Sequence, residues 1–433
     1  MRTKFRFLLL ISVAILGILL YTILTASKPK RTLQPGKGCV FMTVMGEEPS
    51  VSFDRYRSDE NIQLSVRDGL QWLSKAQLPN GGYGAGSHAA QHIRDPHAVK
   101  ADPATTAMVG MVLLRSGTTL EKGAYAENLA KALNYLLETI EGAEDSDPFI
   151  TTVRNTQIQS KLGQNIDAVL AAQFLSNFLD RDLAGTDRKR ILRCLDICIA
   201  RIQEGTDEHG KQQGAGWAGV LQSGMANSAL ESAQAVGAKV DEAIMERSKK
   251  YQKENYNDAD GTVNADDGAG IVLYSISGSV RASAKEARKV KEDVRKAKAE
   301  GKIDDDAEVN VETLEAIGYM SGDAQKYGTA YKVYESAKKM ARQEDVLNGF
   351  GNNGGEEFLS YLQTGESLLV NKDEEWKDWY HDMSGRILKI QNKDGSWSGH
   401  HCITSPVFCT ATSLLVLTVE QDIAFLQKIG VGE

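Results

Sequence analysis

Apolar residues recur every three to four positions over residues 62–77, placing Leu64, Val66, Leu70, Leu73 and Ala76 on one side, and this spacing predicts an amphipathic helix. Charged, one-sided patterns of the same kind follow at 125–141, 186–204, 239–255, 323–342 and 373–391. Between them lie segments rich in Ala, Gly, Ser, Leu and Val, at 103–116, 165–180, 222–237, 266–280, 355–370 and 405–419. A helix that is apolar all round is a buried one, so the second set is expected inside and the first outside. Small residues let the inner helices crowd around an axis while the outer helices face water. The prediction is an all-α fold, an α/α toroid of about six helical hairpins.

Two turns between outer and inner helices share one spacing. Gln77, Gly81 and Tyr83 form the first, and Gln391, Gly395 and Trp397 the last. A recurring cap requires this chemistry: the glycine takes a positive φ, the ring covers the turn, and the amide bonds carbonyls freed at the helix end. Two copies near opposite ends imply repeats between them. The pattern resembles the QxxxGxW repeat of squalene and hopene cyclases, shared more loosely by the β-subunits of protein prenyltransferases, that is, the prenyltransferase/squalene oxidase repeat or terpenoid cyclase-like superfamily. The resemblance covers residues 60–425 as a pattern and is sharp at those two turns. It implies the toroid, with the loops before the inner helices gathered at one end. It does not extend to triterpene cyclisation, because the Asp-x-Asp-Asp acid motif is absent, Asp304 to Asp306 lie in a charged insertion, and aromatic residues are only 7% of the chain.

Residues 7–26 are an uncharged apolar run long enough to cross a hydrocarbon core, so residues 1–27 read as an N-terminal transmembrane anchor, with a cleaved signal peptide as the alternative. Residues 28–60 read as a tether, 61–425 as the toroid with a charge-dense helical insertion near 284–322, and 426–433 as a tail. The insertion is expected to be a solvated helix with charges paired four residues apart. Basic residues stand on both sides of the apolar run, so the positive-inside rule hardly discriminates, and the body is placed outside the cytoplasm, in the periplasm. Residues 1–37 hold seven basic and no acidic side chains, which leaves −15 on the rest against −8 for the whole chain. An acidic body argues against nucleic acid as a partner.

Chemistry is expected in the loops before the inner helices, where free N–H groups converge. A polar ring there would contain Asp102, Asn165, Asp167, Gln222, Asn227, Asp266, Asp267, Glu356, Glu357, His400, His401 and Cys402. Asp266, Asp267, Glu356 and Glu357 are the candidate acid and base; His400, His401, Asp102, Asn165 and Asp167 are candidate binding residues. Each carboxylate also has a plain role as a helix cap. Cys402 and Cys409 are a candidate disulfide, suited to an oxidising compartment, while His400, His401 and Cys402 are the alternative, a metal site. His88, His92 and His97 fall in the first loop, which must neighbour the last one if the ring closes. Cys194 and Cys198, four apart on an outer helix, read as core residues. A full repeat set without a catalytic motif favours a non-catalytic scaffold with no resident cofactor, binding a protein, glycan or lipid at its mouth. The alternative is an extracytoplasmic polysaccharide hydrolase or lyase.

Overall fold

The computed structural model describes residues 60–144, 147–181, 187–351 and 353–430; the apolar run at 7–26, the tether to residue 59, Cys39 and residues 431–433 lie outside the described residues. In chain order the helices are α1 (Glu60–Lys75), α2 (Pro103–Arg115), α3 (Ala126–Glu141), α4 (Gln157–Leu162), α5 (Ile166–Asp180), α6 (Arg188–Glu204), α7 (Gly219–Ala235), α8 (Glu242–Glu254), α9 (Val272–Ala299), α10 (Val311–Ala316), α11 (Ser321–Met340), α12 (Glu344–Leu347), α13 (Gly355–Asn371), α14 (Trp376–Lys389), α15 (Pro406–Leu417) and α16 (Ile423–Gly430). No strand occurs among the described residues, and the body is all-helical as the pattern predicts. Among the same residues no single helix is long and apolar enough to cross a membrane.

Burial sorts the helices into two sets. Every residue of α2, α13 and α15 is buried, whereas α3 buries only the stripe of Leu129, Ala132, Leu133, Leu136, Leu137 and Ile140. The all-apolar helices start cleanly because Asp102 and Ser405 cap them, each followed by a proline whose missing N–H would have had no partner. On α1 the buried stripe differs from the expected one: Leu64 is exposed, and Ser65 and Gly69 face inward beside Ile62, Leu70 and Leu73. Gly69 fits there because a Cβ would stand 3.0 Å from both Trp397 and Leu414.

The buried helices neighbour one another in a cyclic order. α2 packs on α5, α5 on α7, α7 on α9, α9 on α13, α13 on α15, and α15 returns to α2. α1, α3, α6, α8, α11 and α14 each pack on one or two members of that series. The Gln-Gly-aromatic turns tie consecutive hairpins. Gln77 donates its amide to Gly81 O (2.8 Å) and Asn128 O on α3 (2.9 Å), and accepts from Nδ2 of Asn128 (2.7 Å). Gln391 does the same at the other end: it donates to Gly395 O (2.9 Å) and Ser65 O on α1 (3.1 Å), and accepts from the Ser65 hydroxyl (2.5 Å). Gly81 and Gly395 have φ of +85° and +91°, and their backbones press on the Lys131 and Asp68 carbonyls of those helices. Tyr83 and Trp397 are fully buried, and their backbone N–H groups reach the hydroxyls of Thr106 and Thr410 on α2 and α15. Gly210, at φ +90° against Arg247 O of α8, repeats the turn in the third hairpin, with Gln212 where the ring would be.

Two expectations about boundaries change. The fourth inner helix begins at Val272, not 266; residues Asp266–Gly268 form a single 3-10 turn, and α9 then runs unbroken into the insertion. The insertion is not simply solvated. Its helix forms the surface pairs Lys289–Asp293 and Lys296–Glu300 and pairs the buried Arg288 with Glu292, but Val290 and Val294 pack with Leu314 of α10 and Ala324 of α11 in a small core of their own. Asp304 to Asp306 are exposed at its tip. At the other end of the chain, α16 buries Phe425, Leu426 and Ile429 against α13, so the helix runs past residue 425, where the pattern places the start of a tail.

The C-terminal ends of the inner helices are fastened by one buried guanidinium. Arg115 of α2 pairs with Glu366 of α13 and Asp422, and donates to Leu415 O of α15 (3.0 Å); Arg181, just after α5, takes the other oxygen of Asp422. Arg115→Met should leave Glu366 buried without its cation and lower stability by about 3–5 kcal/mol. Urea denaturation of the full chain checks this; a loss under about 1 kcal/mol would mean that the network carries little.

Candidate functional site

The N-terminal ends of the inner helices are stitched together by side chains. Asp102 caps α2, accepting from Thr105 N (2.7 Å) and Ala85 N (2.8 Å). Asp167, in the first turn of α5, accepts from Ala104 N of α2 (3.0 Å) and Nε2 of Gln159 (2.7 Å). Burial pushes both carboxyls upward, and for Asp167 the Asp102 charge adds to it. Asn165 donates its backbone N–H to Gln222 of α7 (2.9 Å) and its amide to Gln212 (3.0 Å). Asn227 is buried one turn further along α7, and neither of its amide atoms has a partner among the described residues, an arrangement that calls for interior water.

The four candidate acids differ in their surroundings. Asp266 is exposed, and Asp267 is held by Lys211 and by the Tyr251 hydroxyl (2.7 Å); despite partial burial those two contacts keep its carboxyl below the usual range. Glu357 is enclosed by donors: Gly354 N (2.8 Å), Phe350 N (3.2 Å) and the Tyr274 hydroxyl (2.5 Å), with Nε2 of His401 at 3.6 Å. It acts as the cap of α13.

Glu356 is the exception. It is 2% exposed, accepts from Ile403 N (3.2 Å), and lies beside His401 and Cys402, with a carboxylate oxygen, an imidazole nitrogen and the thiol all within 4.8 Å of one another. Burial, then the Glu357 charge, pushes its carboxyl up to about 8. Burial and Glu356 likewise push the Cys402 thiol up to about 11. Cys402 has φ +54°, a conformation strained for a residue with a Cβ.

His400 does not join this group: it is exposed, and its backbone N–H bonds Asn353 O (2.8 Å). The sequence-based set of His400, His401 and Cys402 is therefore replaced by Glu356, His401 and Cys402, because Glu356 comes in from the preceding inner helix. The disulfide is not formed either. Cys402 and Cys409 are free; Cys409 directs its thiol to Ile403 O (3.5 Å) and Cys402 lies against Glu356. Cys194 and Cys198 are free and buried in the outer-helix packing, as expected of core residues.

The first and last loops do adjoin, though not through histidines. Gln91 donates to Cys402 O, Arg94 to Gly399 O (3.0 Å), and the Thr404 hydroxyl to Gln91 O (2.7 Å). His92 and His97 are exposed, and the His88 ring bonds Gln91 (3.1 Å).

The residues that sequence reasoning missed lie on and around α4. Gln157 accepts from Thr404 N (2.7 Å) and Ser405 N (3.2 Å), which pins α4 to the loop holding Cys402. One turn later on the same face stands Lys161, 5% exposed, its ammonium 4.5 Å from the ring centre of Trp217. Lys161 is close enough to act on Glu356, Cys402 and His88. The readable signal was Thr156 and Gln159, a capping box three residues apart. Two clefts, of about 710 and 730 Å³, lie elsewhere, the first beside α12 and α14 and the second beside α3; neither is lined by Glu356, His401 or Cys402. Comparison of the chain with protein-family models, with curated proteins and with solved structures returns no match.

A carboxyl whose folded pKa lies above its unfolded value binds its proton more tightly in the folded state, so folding stability falls as pH rises from about 4 through about 8. Glu356→Gln removes that titration. It should match the parent's melting temperature at pH 5 and exceed it at pH 9, both measured with a chelator present. An equal gap at the two pH values would contradict the assignment of a raised carboxyl at this position.

Proposed function

We propose that the chain is a membrane-anchored α/α toroid of the terpenoid cyclase-like repeat type, held by residues 7–26 with its body outside the cytoplasm, and that its mouth binds a ligand without turning it over. The cyclic order of the inner helices supports the toroid, and the twin Gln-Gly-aromatic turns support the repeat resemblance. The observation that carries the non-catalytic reading is the use made of the carboxylates. Asp102, Asp167 and Glu357 accept from backbone N–H groups at inner-helix starts, and Asp267 is held by Lys211 and Tyr251. Glycoside hydrolysis needs two carboxyls facing a substrate across about 5–10 Å, whereas these four face the protein's own donors. Among protein, glycan and lipid as ligands, the polar mouth with exposed Trp217 and Phe350 favours a glycan.

A second reading has one observation in its favour, the convergence of Glu356, His401 and Cys402. Oxygen, nitrogen and sulfur donors in that number suit zinc and would leave a fourth position for water or ligand. Lys161 nearby and the N-terminus of α13 weigh against a cation there.

The test incubates the full chain in detergent with uronate-containing and neutral polysaccharides, with and without added zinc. The proposal predicts retention of polymer with no change in its length. Shortening that disappears in Glu356→Gln would contradict it. Shortening only with zinc, together with one zinc retained through dialysis and lost in Cys402→Ser, would establish the second reading.

A further inference from the structure

The starts of the inner helices hold a cation that no ion pair or hydrogen bond engages among the described residues, although the Glu356 carboxyl stands near enough to feel its charge. Lys161 is 5% exposed, yet its ammonium has no ion-pair or hydrogen-bond partner among the described residues and lies over the face of Trp217. Two other strongly buried ammoniums are matched: Lys249 by Glu231 (3.1 Å) and Lys338 by Asp373 (2.9 Å). A buried charge without a counter-ion is costly, and a ligand anion is the simplest group to supply one.

The surroundings define where that anion goes. Gln157 fixes the start of α4 to Thr404 and Ser405, and Ala218 N bonds Lys161 O (2.7 Å), which fixes its end to the loop carrying Trp217. Lys161 is thereby held between the Cys402 loop and Trp217. Five large hydrophobic side chains are exposed among the described residues; the two aromatic ones, Trp217 at 69% and Phe350 at 61%, flank this place, Phe350 lying 5.0 Å from the His401 ring. We infer that Lys161 and Trp217 form a binding site for an acidic sugar, the ammonium taking its carboxylate and the exposed indole taking the apolar face of its ring.

Charge matching selects the class. One unpaired cation suits one negative charge, and a dianion such as phosphate would leave an excess charge in a body that is already acidic. A ring with an apolar face and hydroxyls on its edge fits an exposed aromatic within polar loops better than a bare anion does. The inference rests on the reading of the mouth as a ligand-binding face, but the two fail separately, since one is read by turnover of polymer and the other by affinity for a monomer.

Calorimetric titration of the full chain with sodium glucuronate, glucose, inorganic phosphate and N-acetylphenylalanine tests it. Glucuronate should bind, and glucose and phosphate should bind at least about tenfold more weakly. Lys161→Met, which keeps the stem over Trp217, should weaken glucuronate by about tenfold or more, and Trp217→Ala, at an exposed ring, by about threefold. Trp217→Ala should melt as the parent does and Lys161→Met at or above the parent's temperature, since it removes an unpaired buried charge, which separates lost binding from lost folding. Glucuronate binding that is absent, or unchanged in Lys161→Met, overturns the site. Tighter binding of phosphate overturns the charge assignment, and tighter binding of N-acetylphenylalanine replaces the sugar by a peptide terminus.

Discussion

Each hairpin of this protein ends in a turn whose carbonyls would be stranded if the next hairpin were not beside it. A glutamine amide resolves this at both ends of the chain, bonding its own turn and the backbone of a neighbouring outer helix: Gln77 reaches Asn128, and Gln391 reaches back across the sequence to Ser65. The second contact joins the last hairpin to the first. Glycine at the crest of each turn is required by the same packing, since a side chain there would strike the neighbouring helix's carbonyl. The buried helices still carry polar side chains along their length, among them Ser228 and Ser367, whose hydroxyls bond carbonyls four residues back.

Those ends are treated differently. At the C-terminal ends Arg115 gathers Glu366, Asp422 and a carbonyl of α15 into one buried network, a closed arrangement with no ligand-facing group. At the N-terminal ends the carboxylates and amides of one helix satisfy free N–H groups of the next; Glu356 does so for Ile403 N while also meeting His401 and Cys402, and the Lys161 ammonium has no such bond. The proposed binding function belongs to these groups. Asp102 and Asp167 each turn both oxygens to the protein's own donors.

Much of this was legible in the sequence. Apart from α9, the inner and outer helices fell within a few residues of their apolar patterns, and the positive φ and ring burial at Gly81, Tyr83, Gly395 and Trp397 follow from the spacing of one motif. The phase of α1 was not, because Ser65 and Gly69 face inward for reasons that lie in Gln391 and Trp397, more than three hundred residues away. The third turn was hidden because Gln212 stands where the aromatic ring would mark it. Sequence adjacency also misgrouped the site: His400 and His401 are neighbours in the chain but point apart, and Glu356 comes from another hairpin. Lys161 was invisible because nothing in a sequence distinguishes a lysine that lacks a partner from the many that have one.

The last turn meets the first helix through Gln391 and Ser65. A double-mutant cycle of Gln391→Ala and Ser65→Ala, read by urea denaturation of the full chain, measures that contact. A coupling of about 0.5–1.5 kcal/mol between the two positions is expected. Additive losses, with no coupling, would mean that α1 and the final turn do not meet and that the cyclic order of helices is not held as described.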